Sequence, residues 1–222
     1  ANPRAWGGFG MRAGRPVSAV LLGMGRGPLM VYHGQEVGEP AAGAEGFGGD
    51  DARTTIFDYW AMPEFQKWVN GGRYDGGRLS EEQRALRGWY RDLLAVLREP
   101  AFTRGDFHGL NHANKDNAAF GRIGGETASG HWFYAFLRRD GESGQAFAVV
   151  ANFHGGETLR GVKVRVPQDA QQWLGRTDKD RWSLRNRLGD EWTGGASRES
   201  LAEEGLELPD LPPCSALMLE IL

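Results

Sequence analysis

Gln35 and Glu36 open the stretch of sequence with the most chemical potential. They follow a short apolar run, residues 29–32, and begin a loop that carries Asp50, Asp51, Arg53, Asp58, Tyr59 and Trp60. Carboxylates accept hydrogen bonds from sugar hydroxyls, and aromatic rings stack on the flat apolar faces of sugars. Polar and aromatic groups gathered just past the C-terminal end of a buried strand are what an α/β barrel uses to bind substrate. Gln35, Glu36, Arg53, Asp58, Tyr59 and Trp60 are therefore the candidate substrate-binding residues. Gln35 and Glu36 have a second reading, as structural groups that tie the loop to its scaffold. The Asp–Arg–aromatic stretch has one too, a loop closed by an internal ion pair over buried rings. Acids in a glycine-rich loop also suit calcium, which takes oxygen ligands, although their spacing matches no EF-hand. No other cofactor is expected.

Other chemistries find less support. His108 and His112 are four apart, as zinc-binding pairs on helices are, but Gly109, Asn111 and Asn114 favour a loop there and no HExxH is present. The glycines at 23, 25 and 27 precede an apolar run instead of following one, and no Walker lysine accompanies them. No nucleophile elbow occurs. A net charge of −3 gives no footprint for nucleic acid or an anionic membrane surface. The single cysteine, Cys214, excludes an intrachain disulfide and fits both a reducing compartment and a disulfide-free secreted protein. No apolar run approaches the roughly 18–20 residues of a membrane helix, and no basic, apolar leader opens the chain. Localisation is therefore not legible. Glycine, at 34 of 222 residues, is about twice its usual share, and the 8 tryptophans are many. Glycine-rich loops with tryptophans suit the stacking of flat ligands, and equally an aromatic core.

The elements that must position these groups are legible in the periodicity. Residues 15–24 read as a short helix, with Pro16 in its first turn and Val17, Val20, Leu21 and Met24 at helical spacing. Residues 29–32 read as a strand covered on both faces. Residues 34–77 form a long loop, too aromatic for disorder, with a local helix at 63–69. Residues 80–99 form the clearest helix. Ser80 and Gln83 make a capping box, and Leu86, Trp89, Tyr90, Leu93, Leu94 and Leu97 trace an apolar face with Arg84, Arg87 and Arg91 off it. Pro100 ends it. Beyond about residue 102 the pattern changes to period two, with strands at 131–138, 145–153, 158–166, 181–184 and 215–221, which indicates an antiparallel sandwich.

This order resembles the end of an alpha-amylase family enzyme (glycoside hydrolase family 13). The run PLMVYHGQEVGEP is similar to the family's eighth-strand motif, a proline and apolar run followed by Tyr-x-Gly-x-Glu. RGWYRDLLAVLREPAF resembles the last barrel helix, and AFAVVANF and LPPCSALMLEI resemble strands of the C-terminal domain. The resemblance implies α/β plus all-β architecture: the C-terminal portion of a (β/α)8 TIM barrel over residues 1–104, then an antiparallel β-sandwich domain over residues 105–222. It implies a retaining mechanism on an α-glucan or maltooligosaccharide, through paired carboxylates about 5–5.5 Å apart. The family's seventh-strand motif, Asn-His-Asp, is absent from residues 1–13, which hold no acid at all. The chain is accordingly expected to lack the catalytic carboxylates and to need the rest of the barrel, from another chain or segment, as partner. The alternative is a non-catalytic carbohydrate-binding or structural β-sandwich module.

Overall fold

A computed structural model describes residues 11–39, 62–176 and 178–222. The first helix, α1, spans Gly14–Met24 and buries Pro16, Ser18, Ala19 and Gly23. Helix α2 spans Pro63–Val69, with its proline in the first turn, where a missing N–H costs nothing. Helix α3 spans Glu81–Val96. The capping box forms as expected: the Ser80 hydroxyl accepts from the Gln83 amide at 3.2 Å, and the Gln83 side chain accepts from the Ser80 amide at 3.0 Å. Pro100 follows the end of α3, but it also starts a short helix, α4, at Pro100–Thr103. The proline that stops one helix is well suited to the first position of the next.

Eight strands follow: β1 Asp106–Gly109, β2 Phe133–Arg139, β3 Ala146–Asn152, β4 Lys163–Val164, β5 Arg181–Asn186, β6 Thr193–Ser197, β7 Leu206–Glu207 and β8 Ser215–Ile221. Two more helices, α5 at Gln168–Leu174 and α6 at Arg198–Glu203, are interspersed. Six strands form one antiparallel sheet in the order β1-β2-β3-β8-β5-β6, and β4 pairs with β7 in a separate two-stranded ribbon. The fold is thus mixed α/β, built on one antiparallel sheet, and no barrel closes among the described residues.

The period-two pattern explains how the sheet is covered. Phe133, Ala135 and Leu137 of β2 point into one core with Ala148 and Val150 of β3, Trp182, Leu184 and Leu219. That core also holds Val164, Leu174, Leu201 and Leu206, from the ribbon and from α5 and α6. Phe136 of β2, Phe147, Val149 and Ala151 of β3, and Met218 of β8 point the other way, into a core shared with Ala19 of α1, Phe102 of α4, and Leu86, Tyr90 and Leu93 of α3. Both faces of the sheet are covered, so all seven residues of β3 are buried, and its sequence reads as a continuous apolar run.

One buried side chain locks the helical layer to the sheet. Arg138 of β2 is 1% exposed. It donates to Met24 O at the end of α1 (2.7 Å), and to Ala101 O (3.0 Å), Phe102 O (3.2 Å) and Gly105 O (2.7 Å) around α4. Helix ends leave carbonyls without intrahelical partners, and a planar guanidinium can serve several of them at once. Burial, together with the charge of Arg26 nearby, lowers the Arg138 pKa, but a guanidinium remains charged at neutral pH.

Several elements differ from the sequence reading. Residues 29–32, expected to be a buried strand, belong to no sheet among the described residues, and Leu29 and Met30 are 41% and 78% exposed. An apolar segment becomes a strand only beside a neighbour that accepts its backbone hydrogen bonds, and no described strand lies alongside. The expected strand at 158–166 is reduced to β4 and a single bridge between Leu159 and Leu211. Strand β6 went unread because its Gly194 and Gly195 resemble a turn. Its glycines are there for space: a Cβ at Gly194 would lie 2.4 Å from the Trp192 ring, and one at Gly195 would lie 2.3 Å from Trp182 O.

Candidate functional site

The segment after residue 32 is built around Gln35. Gly34 adopts φ +85°, a left-handed conformation that favours glycine. It turns the chain into a 3₁₀ turn at Gln35–Val37. The Gln35 side chain is buried between the helices. Its carbonyl accepts from the Tyr32 amide at 3.3 Å, and its NH2 donates to Ser18 Oγ of α1 at 3.0 Å and to Tyr90 Oη of α3 at 2.9 Å. Ser18 and Tyr90 bond each other at 2.8 Å, and the Tyr90 hydroxyl donates to Gly14 O at 3.3 Å. Burial raises the Tyr90 pKa and the nearby charge of Glu36 adds to this, while the hydrogen bonds from Ser18 and Gln35 oppose it. Gln35 therefore sits at a knot joining α1, the 32–35 turn and α3, with its amide engaged inside the protein.

Glu39 and Gln83 extend the knot. Glu39 is fully buried, and its carboxylate accepts from the Glu64 and Phe65 amides, each at 2.9 Å, at the start of α2. A carboxylate at a helix N-terminus meets both the free amides and the positive end of the dipole. The Gln83 NH2 donates to Val37 O at 3.0 Å and to Glu64 at 2.6 Å. Residues 32–39 are thus tied to α1, α2 and α3.

Glu36 points elsewhere. It is half-buried and lines a cleft of 470 Å³ together with Val31, His33, Phe65, Arg87, Tyr90, Arg91 and Leu94. The His33 ring lies 4.8 Å from that of Tyr32 and 6.1 Å from that of Phe65. The cleft thus combines apolar side chains, three rings (His33, Phe65 and Tyr90), one carboxylate and two guanidinium groups. Glu36 is the one carboxylate among the lining residues, whereas retaining glycoside hydrolysis needs two. These side chains can bind and orient a polyhydroxyl ligand, and they supply no acid pair.

Of the six residues expected to bind substrate, the structure places Gln35 in the internal knot and Glu36 in the cleft. Arg53, Asp58, Tyr59 and Trp60 lie outside the described residues, as do Asp50 and Asp51, the acids considered for calcium. Among the described residues no group of three or more His, Cys, Asp or Glu side chains is placed to hold a metal ion. His108 lies in β1 and His112 in a 3₁₀ turn, and the His108 ring packs 5.2 Å from that of Trp173. No helix among the described residues is long and apolar enough to cross a membrane. The sequence reading missed His33, Phe65, Arg87 and Arg91 as cleft residues. The available signal was the placement of Arg87 and Arg91 four apart on α3, off its core-facing stripe. No family model matches the chain, and no curated protein matches it.

Proposed function

We propose that the chain is part of an α-glucan-active glycosidase of the alpha-amylase type. In this reading it contributes the last helix–strand–helix unit of a (β/α)8 barrel and the C-terminal β-domain, and the catalytic carboxylates come from elsewhere in the barrel. The observation that carries the reading is the state of residues 28–36. An apolar segment with Leu29 and Met30 exposed leads into Tyr32-x-Gly34-x-Glu36, with Gly34 in the left-handed conformation and Glu36 in an open cleft. Leu94 of α3, 36% exposed, lines the same cleft as Val31 and Glu36, and Leu21 of α1 is 61% exposed. Two helices beside an apolar segment that pairs with no strand among the described residues are what one βα unit of a barrel leaves when its neighbours are not beside it. Glu36 and the residues of the following loop then serve as one wall of the sugar site.

The test is activity on soluble starch and maltooligosaccharides, with the chain alone and co-expressed with the remaining barrel segment of its parent coding region. The chain alone is expected to release no reducing ends, and the pair to release them with retention at the anomeric carbon. Hydrolysis by the chain alone would overturn the missing-carboxylate reading. A second reading, a non-catalytic carbohydrate-binding or structural module, draws on the complete burial of β3 and the two covered faces of the sheet. Binding to immobilised starch without hydrolysis in either arm favours that module.

A further inference from the structure

Helix α3 carries Arg84, Arg87 and Arg91 at spacings of three and four, which align them on one face. With Trp68, Gly76 and Leu79 they line an open cleft of 170 Å³. The cleft has one lining carboxylate, Asp75, and it is already engaged. Asp75 accepts from Asn70 Nδ2 at 2.6 Å and from the Gly77 amide at 2.9 Å, and it pairs with Arg73 at 3.8 Å. The Asn70 bond, followed by the Gly77 amide, holds its carboxyl below the usual range. Arg91 pairs with Asp92 at 2.9 Å.

Arg84 and Arg87 are left without a carboxylate among the described residues. Among the described residues Arg84 reaches a carbonyl, Gly77 O, at 3.4 Å. The Arg87 guanidinium lies 3.6 Å over the Trp68 ring, and its Nε is shut off from solvent with no hydrogen-bond partner among the described residues. Stacking on an indole face fixes the plane of a guanidinium without using its N–H groups. The site therefore holds two positive charges on adjoining turns of one helix, one of them preset in orientation and short of acceptors.

We propose that this cleft binds a phosphate group, with Arg84 and Arg87 as its ligands and Trp68 as the support that orients Arg87. A phosphate carries close to two negative charges at neutral pH and three strong acceptor oxygens, which matches two guanidinium forks; a carboxylate balances only one of them. At roughly 30 Å³ per water, the cleft has room for a phosphate and the first atoms of whatever bears it. That phosphate is either free in solution or esterified to a sugar. The site does not depend on the glycosidase reading.

Calorimetric titration near 10 mM ionic strength, where screening is weak, tests this with inorganic phosphate, glucose 6-phosphate, glucose and sodium chloride. Saturable binding of one phosphate per chain is expected for inorganic phosphate, for glucose 6-phosphate, or for both, and which of the two binds identifies the source. Glucose and chloride give no saturable heat. Arg84→Gln and Arg87→Gln each weaken binding by about tenfold, the loss of one charged hydrogen-bonding group. Arg87→Lys also weakens it, because the ammonium cannot form the planar fork. Arg84 is exposed, so Arg84→Gln reads the site without disturbing the fold. The proposal is overturned if neither phosphate compound binds saturably, or if binding is unchanged in both Gln variants.

Discussion

The sheet and the segment between α1 and α2 solve the same polar problem, and only one of them solves the apolar one. Around the sheet, buried amides hold the loops. Asn114 donates to Leu110 O and Arg165 O, Asn117 to Lys163 O, and Asn152 to Glu157 O, Leu211 O and Pro212 O. Between α1 and α2, Gln35 and Glu39 play the same part with helices instead of loops. The polar networks are comparably dense, yet the sheet is buried on both faces while Leu29 and Met30 stand in solvent a few residues from Gln35. Hydrogen bonds can be completed by near neighbours. Apolar burial needs a further layer: Val31 packs partly against the helical core, while Leu29 and Met30 remain exposed.

If the helical layer is a true partner of the sheet, its clamp must matter most. Arg138→Met keeps the aliphatic bulk and removes the donors for four carbonyls, three buried and one, Met24 O, half-buried. Each buried acceptor left without a donor costs about 1–3 kcal/mol, so a total of at least about 3 kcal/mol is expected, among the larger effects of single substitutions. Urea unfolding monitored by circular dichroism measures it. A cost under about 1 kcal/mol would mean that the Arg138 clamp is dispensable, the layers being held by apolar contact and by other polar links, such as those from the Ala101 amide to Gln145 and from Arg187 to Glu99.

The knot at Gln35 should come next. Gln35→Ala removes three hydrogen bonds and leaves Tyr32 N–H, Ser18 and Tyr90 to re-pair, a loss of about 2 kcal/mol by the same scale. Tyr90→Phe alone should cost about 1 kcal/mol, and the double variant less than the sum, because the two residues share one network. Additive losses would show that Gln35 and Tyr90 act separately.

Acid stability separates turns from cores. Asp140 accepts from the Ser143 amide at 2.9 Å, from the Ser143 hydroxyl, and from Arg104 at 3.1 Å. The Ser143 hydrogen bond leads in holding its carboxyl well below the usual carboxylate range. With the folded pKa depressed, the unfolded chain takes up the proton first as pH falls. The stabilisation is therefore fully present above about pH 4, the unfolded value, and is lost as pH drops below it. Asp140→Asn should flatten that acid limb when urea midpoints are compared between pH 5 and 2. An unchanged slope would assign acid sensitivity to other carboxylates. Glu220 is one: burial pushes its carboxyl up, but hydrogen bonds from Arg185 and Arg187 outweigh this and lower it.

The same contrast explains how far the sequence could be read. Local rules worked where local chemistry decides. The capping box at Ser80 and Gln83, the proline-led helix at 63–69 and strand β8 were legible because caps, prolines and period-two runs act within a few residues. Residues 29–32 misled because an apolar run carries no record of whether a neighbouring strand is present. Gly194 and Gly195 misled because glycine needed for close packing looks like glycine needed for a turn. At the candidate site, Glu36 was legible from its place after an apolar run. A structural tie was the second reading of Gln35, but its partners were not legible, because Ser18 and Tyr90 are 17 and 55 residues away. Arg53, Asp58, Tyr59 and Trp60 lie outside the described residues, so their part in the site rests on sequence alone.

The smallest expected effect is the sharpest test of the comparison. Met30 and Met218 are the same side chain in the two regions, 78% and 0% exposed. Met218→Ala should cost about 2–5 kcal/mol, because it opens a cavity in the core beneath α1. Met30→Ala removes little buried surface and should change stability by less than about 0.5 kcal/mol. Its effect should appear in association instead. Exposed apolar side chains such as Leu29 and Met30 favour contact between copies at high concentration, so light scattering should show Met30→Ala self-associating less than the parent chain at equal stability. A stability loss above 1 kcal/mol for Met30→Ala would mean that Met30, like Val31, is packed against another part of this chain. In that case the difference between the two regions would lie in which residues do the covering, and the segment would need no further layer.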